Sequence, residues 1–106
     1  MAAYTASVTG AWSDTATWGG SGPPGNGDSV TINVPVSVTG NTEVGTSGAA
    51  GTIDVIVDAT GANTGSLTVN AGIQLRVNGD TQLKNAVMTL AAGSNYQFGN
   101  GGSSQA

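Results

Sequence analysis

The side chains that could do acid–base or nucleophilic chemistry are few, and nearly all of them are carboxylates. The 106 residues include six Asp or Glu and two Lys or Arg, with neither His nor Cys. The usual general bases, thiolate nucleophiles and soft metal ligands are therefore missing. Serine is plentiful, but only Lys84 or a carboxylate is present to activate it. The sequence predicts a protein that is not an enzyme and holds no cofactor.

Asp54 and Asp58 share one face of a predicted strand, so they are the first pair to consider for glycoside hydrolysis. Four residues of extended chain separate two such positions by about 13 Å. Glycosidases place their two carboxyl groups about 5 to 9.5 Å apart. We therefore interpret both side chains as solvated charges on a strand face.

The segment Gly25-Asn26-Gly27-Asp28 offers the hard oxygen ligands that calcium prefers. The calcium-binding nonapeptide repeat, Gly-Gly-x-Gly-x-Asp followed by x-apolar-x, is not reproduced in register. Asp28 is thus a weak calcium candidate, and the other interpretation is a turn that leads into a strand. We expect no other metal ligand.

Four aromatic side chains are the candidates for ligand binding: Trp12, Trp18, Tyr96 and Phe98. Their flat faces suit the pyranose rings of a glycan. The alternative is that Trp12 and Trp18 close one end of a thin β core, where each ring buries about 150 to 250 Å². We favour packing for these two, because they lie in an irregular segment and a small core needs large apolar side chains.

The charge balance excludes two classes of partner. Arg76 and Lys84 are the only basic side chains, and the net charge is −4. Nucleic-acid binding depends on several contacts between Lys or Arg and phosphate, and an anionic membrane surface makes the same demand. No apolar run approaches 18 residues, which excludes a transmembrane helix.

Strands are the elements that must position these residues. Valine and isoleucine alternate with polar residues between Val30 and Val38. A strand predicted over 52–58 places Ile53, Val55 and Val57 on one face and Asp54, Ile56 and Asp58 on the other. Further apolar pairs then recur about every eight residues up to Phe98, separated by Gly, Asn and Ser. We predict a single β domain over 1–98, with an irregular arm over 1–27 and a flexible tail over 99–106.

Short strands at this spacing suit two all-β architectures. One is a small sandwich, jelly roll or barrel of hairpins, which a type I′ turn at Asn78-Gly79 would support. The other is a short parallel β-helix-like module, with about two coils between Ile53 and Phe98. Two coils are marginal alone, so this version needs a cap and a partner.

Two tryptophans, a Gly/Pro loop and a strand form an opening pattern, W-S-x-x-x-T-W and then P-x-x-G-D-x-V-x-I. This stretch resembles the opening of G8-type domains and of β-helical repeats in bacterial surface and phage structural proteins. The resemblance implies an all-β, mostly parallel β-helical module without catalytic residues. The matching positions are Trp12, Trp18, Pro24, Gly27, Asp28, Val30 and Ile32.

The composition is typical of a bacterial adhesin or a virion surface protein, yet residues 1–7 lack the basic and apolar regions of a signal peptide. A phage structural protein released by lysis reconciles the two observations, as does a fragment of a longer exported protein. Our leading hypothesis is a capsid decoration protein on the virion surface. We expect it to form a homo-oligomer, a trimer or dimer, and to brace the major capsid protein or another virion protein.

The alternative hypothesis is a receptor- or glycan-binding segment of a tail fibre, tailspike or bacterial surface adhesin. Its location would then be the virion fibre, the bacterial cell surface or the extracellular space.

Overall fold

A computed structural model describes residues 2–45 and 53–98, together with the backbone of residues 102–105. These residues form β-strands joined by turns, with a single 3₁₀ turn at Thr15–Trp18. None of the described helical segments is long and apolar enough to cross a membrane. The strands are β1 Ala3–Ala6, β2 Gly10–Ala11, β3 Ser29–Ile32, β4 Pro35–Val38, β5 Thr42–Val44, β6 Ile53–Asp58, β7 Ser66–Val69, β8 Gln74–Val77, β9 Asp80–Lys84, β10 Val87–Leu90, β11 Asn95–Phe98 and β12 Gly102–Gln105.

The strands form three four-stranded sheets that the chain visits in turn. Face 1 has the order β1-β3-β6-β9, face 2 the order β2-β4-β7-β10, and face 3 the order β5-β8-β11-β12. Strands from successive turns of the chain pair in parallel, as in β4 with β7 and β5 with β8. The protein is therefore all-β with parallel sheets, wound as a coil in the β-helix-like manner. We number the coils by their strands: the first holds β1 and β2, the second β3–β5, the third β6–β8 and the fourth β9–β11.

The period-two pattern explains why this coil forms. In the third coil every second residue points inward and is fully buried, because a coil covers it on each side. The intervening polar residues point outward, where Ser, Thr and Gln meet solvent. The inward residues of this coil are Val55, Val57, Leu67, Val69, Leu75 and Val77.

The start of β6 departs from the predicted alternation. Ile53 was expected on the same face as Val55 and Val57, but it is exposed, and Asp54 is buried rather than solvated. The register between β6 and β9 shifts between Ile53 and Val55, which turns the intervening carboxyl inward. Gly45 borders that carboxyl so closely that an added Cβ would lie 2.1 Å from its Oδ2 atom.

The hairpin predicted at Asn78-Gly79 is wrong. The strands that flank this turn belong to different sheets, since β8 pairs with β5 and β11 whereas β9 pairs with β6. The turn is a corner of the coil.

The antiparallel pair in the described part of the chain is β11 with β12. Residues 102–105, which the sequence assigns to the tail, are thus a strand. The sequence predicts a loose segment over 45–51 and a strand from residue 52 onward; residues 46–52 lie outside the described part of the chain.

Candidate assembly surface at the open end of the coil

The two tryptophans close the first end of the coil. Trp12 and Trp18 are 2% and 4% exposed, and their rings meet edge to face at 5.1 Å between centroids. The indole N–H of Trp12 donates to the Pro24 carbonyl at 3.1 Å, and that of Trp18 donates to the Trp12 carbonyl at 2.7 Å. Both rings therefore occupy packing positions, and neither shows the open face that stacking on a sugar requires.

The Asp28 carboxylate fastens the same end. Its Oδ1 accepts from the backbone N–H of Ala2 and its Oδ2 from that of Gly25. Both oxygens thus hold the loop against the first strand, in agreement with the turn interpretation. Within the described ranges no group of three carboxylates, histidines or cysteines comes together to hold a metal ion.

The opposite end of the coil is open. Register pairing places the inward residues of the fourth coil directly over those of the third, for example Leu83 over Val57 and Phe98 over Val77. The third-coil residues are fully buried, whereas Leu83 is 45% and Phe98 36% exposed. On faces 1 and 2 the described strands cover the fourth coil on one side only, whereas on face 3 β12 also pairs with β11 and places Gly102, which has no side chain, beside Phe98. A cavity of about 490 Å³ remains there; we call it the open end, and its lining residues are Asp80, Thr81, Leu83, Met88, Tyr96 and Phe98.

Tyr96 and Phe98, the remaining two predicted binding residues, meet in this cavity. Their rings stack at 5.2 Å between centroids with 24° between planes. The Tyr96 hydroxyl donates to Thr81 Oγ1, which ties β11 to β9 across the open end. Burial raises the pKa of Tyr96 above its usual value, and the charge of Asp80 adds to this increase. The Thr81 hydroxyl opposes it, because it can turn and donate a hydrogen bond to the ionised Tyr96 oxygen. The Tyr96 side chain is therefore neutral at physiological pH, and its ring is largely buried beside Phe98.

Two strand edges border the open end. Among the described strands, β9 is the last of face 1 and β10 the last of face 2, whereas β12 covers the edge of β11 on face 3. Ala59 N–H donates to the Lys84 carbonyl, so that carbonyl points toward β6. Because successive residues of a strand point their backbone groups in opposite directions, those of Thr81 and Leu83 point away from β6. Such an edge is a template for pairing with another strand.

A second concave surface lies on the outside of face 3. It is a groove of about 510 Å³ lined entirely by polar side chains. The side-chain amide of Gln74 donates to Gln97, and the Asn41 side chain accepts from the Gln74 backbone N–H. The lining residues are Asn41, Thr42, Glu43, Gln74, Arg76 and Gln97.

Beside this groove Asn78 holds neighbouring coils together, a role that sequence reasoning missed. Its buried Nδ2 donates to Glu43 Oε2 and to the Gly45 carbonyl, each at 3.0 Å, and its Oδ1 accepts from Arg76 Nε. The signal available in the sequence was an Asn-Gly pair, which predicts a turn but not a buried amide.

We compared the chain with protein-family models, curated proteins and solved structures, and none of the three comparisons found a match. The resemblance to G8-type and phage structural modules stays a prediction. Over the described residues the geometry provides a closed end, an open apolar end bordered by the edges of β9 and β10, and a polar groove.

Proposed function

We propose that this chain is a non-enzymatic structural protein of a phage particle, a capsid decoration protein that works as an oligomer. The observation that supports this best is the open end, where no other described strand covers the edges of β9 and β10 and apolar side chains are exposed. A surface of this kind is stabilised when another protein covers it. The composition, which is poor in ionisable side chains and has no histidine, supports bracing rather than catalysis.

The three-sheet architecture suits this role. Parallel coils hold their inward side chains at close packing, and a rigid unit loses little conformational entropy when it binds. The open end would bring modules together, and the outer faces would contact the shell. The major capsid protein, or another virion protein, is the proposed partner.

The test is binding to undecorated capsids of the phage that encodes the chain. Purified protein should bind them and raise the temperature at which the shells open, measured by calorimetry and cosedimentation. Leu83→Gln, at the open end, should weaken this effect, because it places an amide in the apolar cavity.

The matched control is Val8→Gln, since Val8 is an exposed apolar residue outside the open end, 51% exposed. Equal losses in the two variants would contradict the assignment of the open end. No binding by the parent protein would remove the proposal itself.

The polar groove on face 3 favours a second candidate function, glycan binding by a fibre or adhesin segment. Amide and carboxylate side chains such as Gln74, Gln97 and Glu43 can donate to and accept from sugar hydroxyls. Retention on a glycan array that is lost in Gln97→Ala but kept in Gln82→Ala would establish it. Gln82 is an exposed glutamine on β9, outside the groove. Absence of retention on a broad array would argue against it.

A further inference from the structure

The strand at the edge of face 1, β9, carries opposite charges at its two ends. β9 begins with Asp80 and ends with Lys84, with Gln82 at its centre. Its two inward residues, Thr81 and Leu83, line the open end. A strand with opposite charges at its two ends is complementary to a second copy of itself that runs the other way.

We propose that the open end is covered by a second copy of this chain, with β9 paired antiparallel to the β9 of its partner across a two-fold axis. This inference rests on the proposed function only in treating the open end as an assembly surface. The assembly is a dimer with a closed two-fold interface, in which the same surface of each subunit contacts its counterpart.

The register follows from the charges and from the backbone. When Gln82 lies opposite the Gln82 of the partner subunit, Asp80 lies opposite the partner's Lys84, and the reverse holds. Each dimer then gains two opposite-charge pairs along the line where the two β9 strands meet. Directly opposed charges of opposite sign stabilise a sheet, and like charges destabilise it.

The backbone groups fit the same register. Thr81 and Leu83 point their N–H and C=O groups away from β6, because the carbonyl of the next residue, Lys84, points toward it. In this register Thr81 lies opposite the partner's Leu83, so both residues exchange their backbone hydrogen bonds across the axis. The charged residues fall at the non-hydrogen-bonded positions, where opposed Cα atoms are about 4.5 Å apart and side chains are closest.

The second copy would also cover the apolar side chains at the open end. Leu83 and Phe98, which the fourth coil leaves exposed, lie on the surface that the second copy would cover. Lys84 also lies beside Asp58 of its own chain, so the pairing would place it between two carboxylates. Pairing at face 1 leaves β12 in place on face 3.

The experiment reverses the charge at either end of β9 and measures the oligomeric state by sedimentation and native mass spectrometry. Low salt is used because salt screens exposed charges. The parent protein should sediment as a dimer. Asp80→Lys makes both members of each pair cationic, and Lys84→Asp makes both anionic. Each variant alone should therefore raise the dimer dissociation constant by about tenfold or more, through two pairs that change from attraction to repulsion.

Mixing the two variants is the decisive step. Each then offers the charges that the other lacks, so heterodimers should form with an affinity within about threefold of the parent. Circular dichroism verifies that each variant keeps its β spectrum, so a folding defect is separated from an interface defect. Native mass spectrometry resolves the heterodimer, because the variants differ in mass.

A parent that is monomeric or trimeric would overturn the inference, as would single variants that dimerise like the parent. A mixture that forms no heterodimer would overturn it as well. Capsid binding is measured separately, so a dimer that ignores capsids refutes only the proposed function, and a monomer that binds them refutes only this pairing.

Discussion

Replacement of Gly65 by alanine tests the stacking of the coils, on which the open end and the polar groove both depend. Gly65 is buried where the chain enters β7, and its N–H donates to the Asp58 carbonyl at 2.9 Å. An added Cβ would lie 2.3 Å from the Ile32 carbonyl oxygen and 2.4 Å from that of Asp58. Both contacts are with backbone, one in the same coil and one in the coil before it. Relief therefore requires β7 to move or two coils to separate.

The expected cost is at the upper end of what overpacking produces. Inserting one methyl group into a packed core typically costs about 1 to 3 kcal/mol, and here two carbonyls are overlapped by roughly 1 Å each. We expect Gly65→Ala to lower the free energy of unfolding by about 3 kcal/mol or more. For a domain of about 100 residues this corresponds to a fall in melting temperature of about 12 °C or more.

Gly40→Ala is the matched control, because nothing lies within 4 Å of its added Cβ and its φ is not positive. Its free energy of unfolding should stay within about 0.5 kcal/mol of the parent. Urea unfolding followed by tryptophan fluorescence and by circular dichroism measures both variants. If Gly65→Ala costs no more than Gly40→Ala, the coils do not approach each other at this corner and the stacking described here is wrong.

Three further predictions concern the closed end and the titrating groups. Trp12→Ala should cost about 3 to 5 kcal/mol in urea unfolding, because it removes a buried ring that closes the core, and a loss below about 1 kcal/mol would show that this end is not packed. Hydrogen bonds from the side chain and backbone of Thr60 lower the pKa of Asp58, so this group adds stability that is present above its unfolded pKa and lost as pH falls through the folded value. Thr60→Ala should therefore raise that pKa in a carboxyl NMR titration, and an unchanged midpoint would refute the assignment. The pKa of Tyr96 is raised, so its contribution to stability is full below the unfolded pKa of about 10 and lost as pH rises through the folded value. Thr81→Val should raise this pKa further in an ultraviolet titration at alkaline pH, because it removes the hydrogen bond that opposes burial; a fall would contradict the geometry of the open end.

The dimer proposed at β9 also makes the concentration of the protein relevant to these measurements. A second copy that binds only the folded state raises apparent stability by mass action. Unfolding of the parent should therefore shift upward with protein concentration, whereas Asp80→Lys should lose most of that shift. A parent whose midpoint is independent of concentration would agree with a monomer instead.

Residue types and their order along the chain were enough to predict most strands and much of the interior. Alternation of apolar and polar residues at period two identified the inward positions of β3, β4 and β7, because successive side chains of a strand point to opposite sides. Large apolar side chains in a thin core also predicted that Trp12 and Trp18 pack. These features depend on residue type and on neighbours along the chain.

The pairing of the strands and the exposure of the open end depend instead on contacts between residues far apart in the chain. Period two assigns a residue to a face but does not say which strand lies beside it, so Asn78-Gly79 fitted a hairpin equally well. The exposure of Leu83 and Phe98 likewise follows from their place in the fourth coil, since Val57 and Val77, the apolar residues paired with them one coil earlier, are fully buried. Position along the coil axis is a property of long-range register, and no local pattern encodes it.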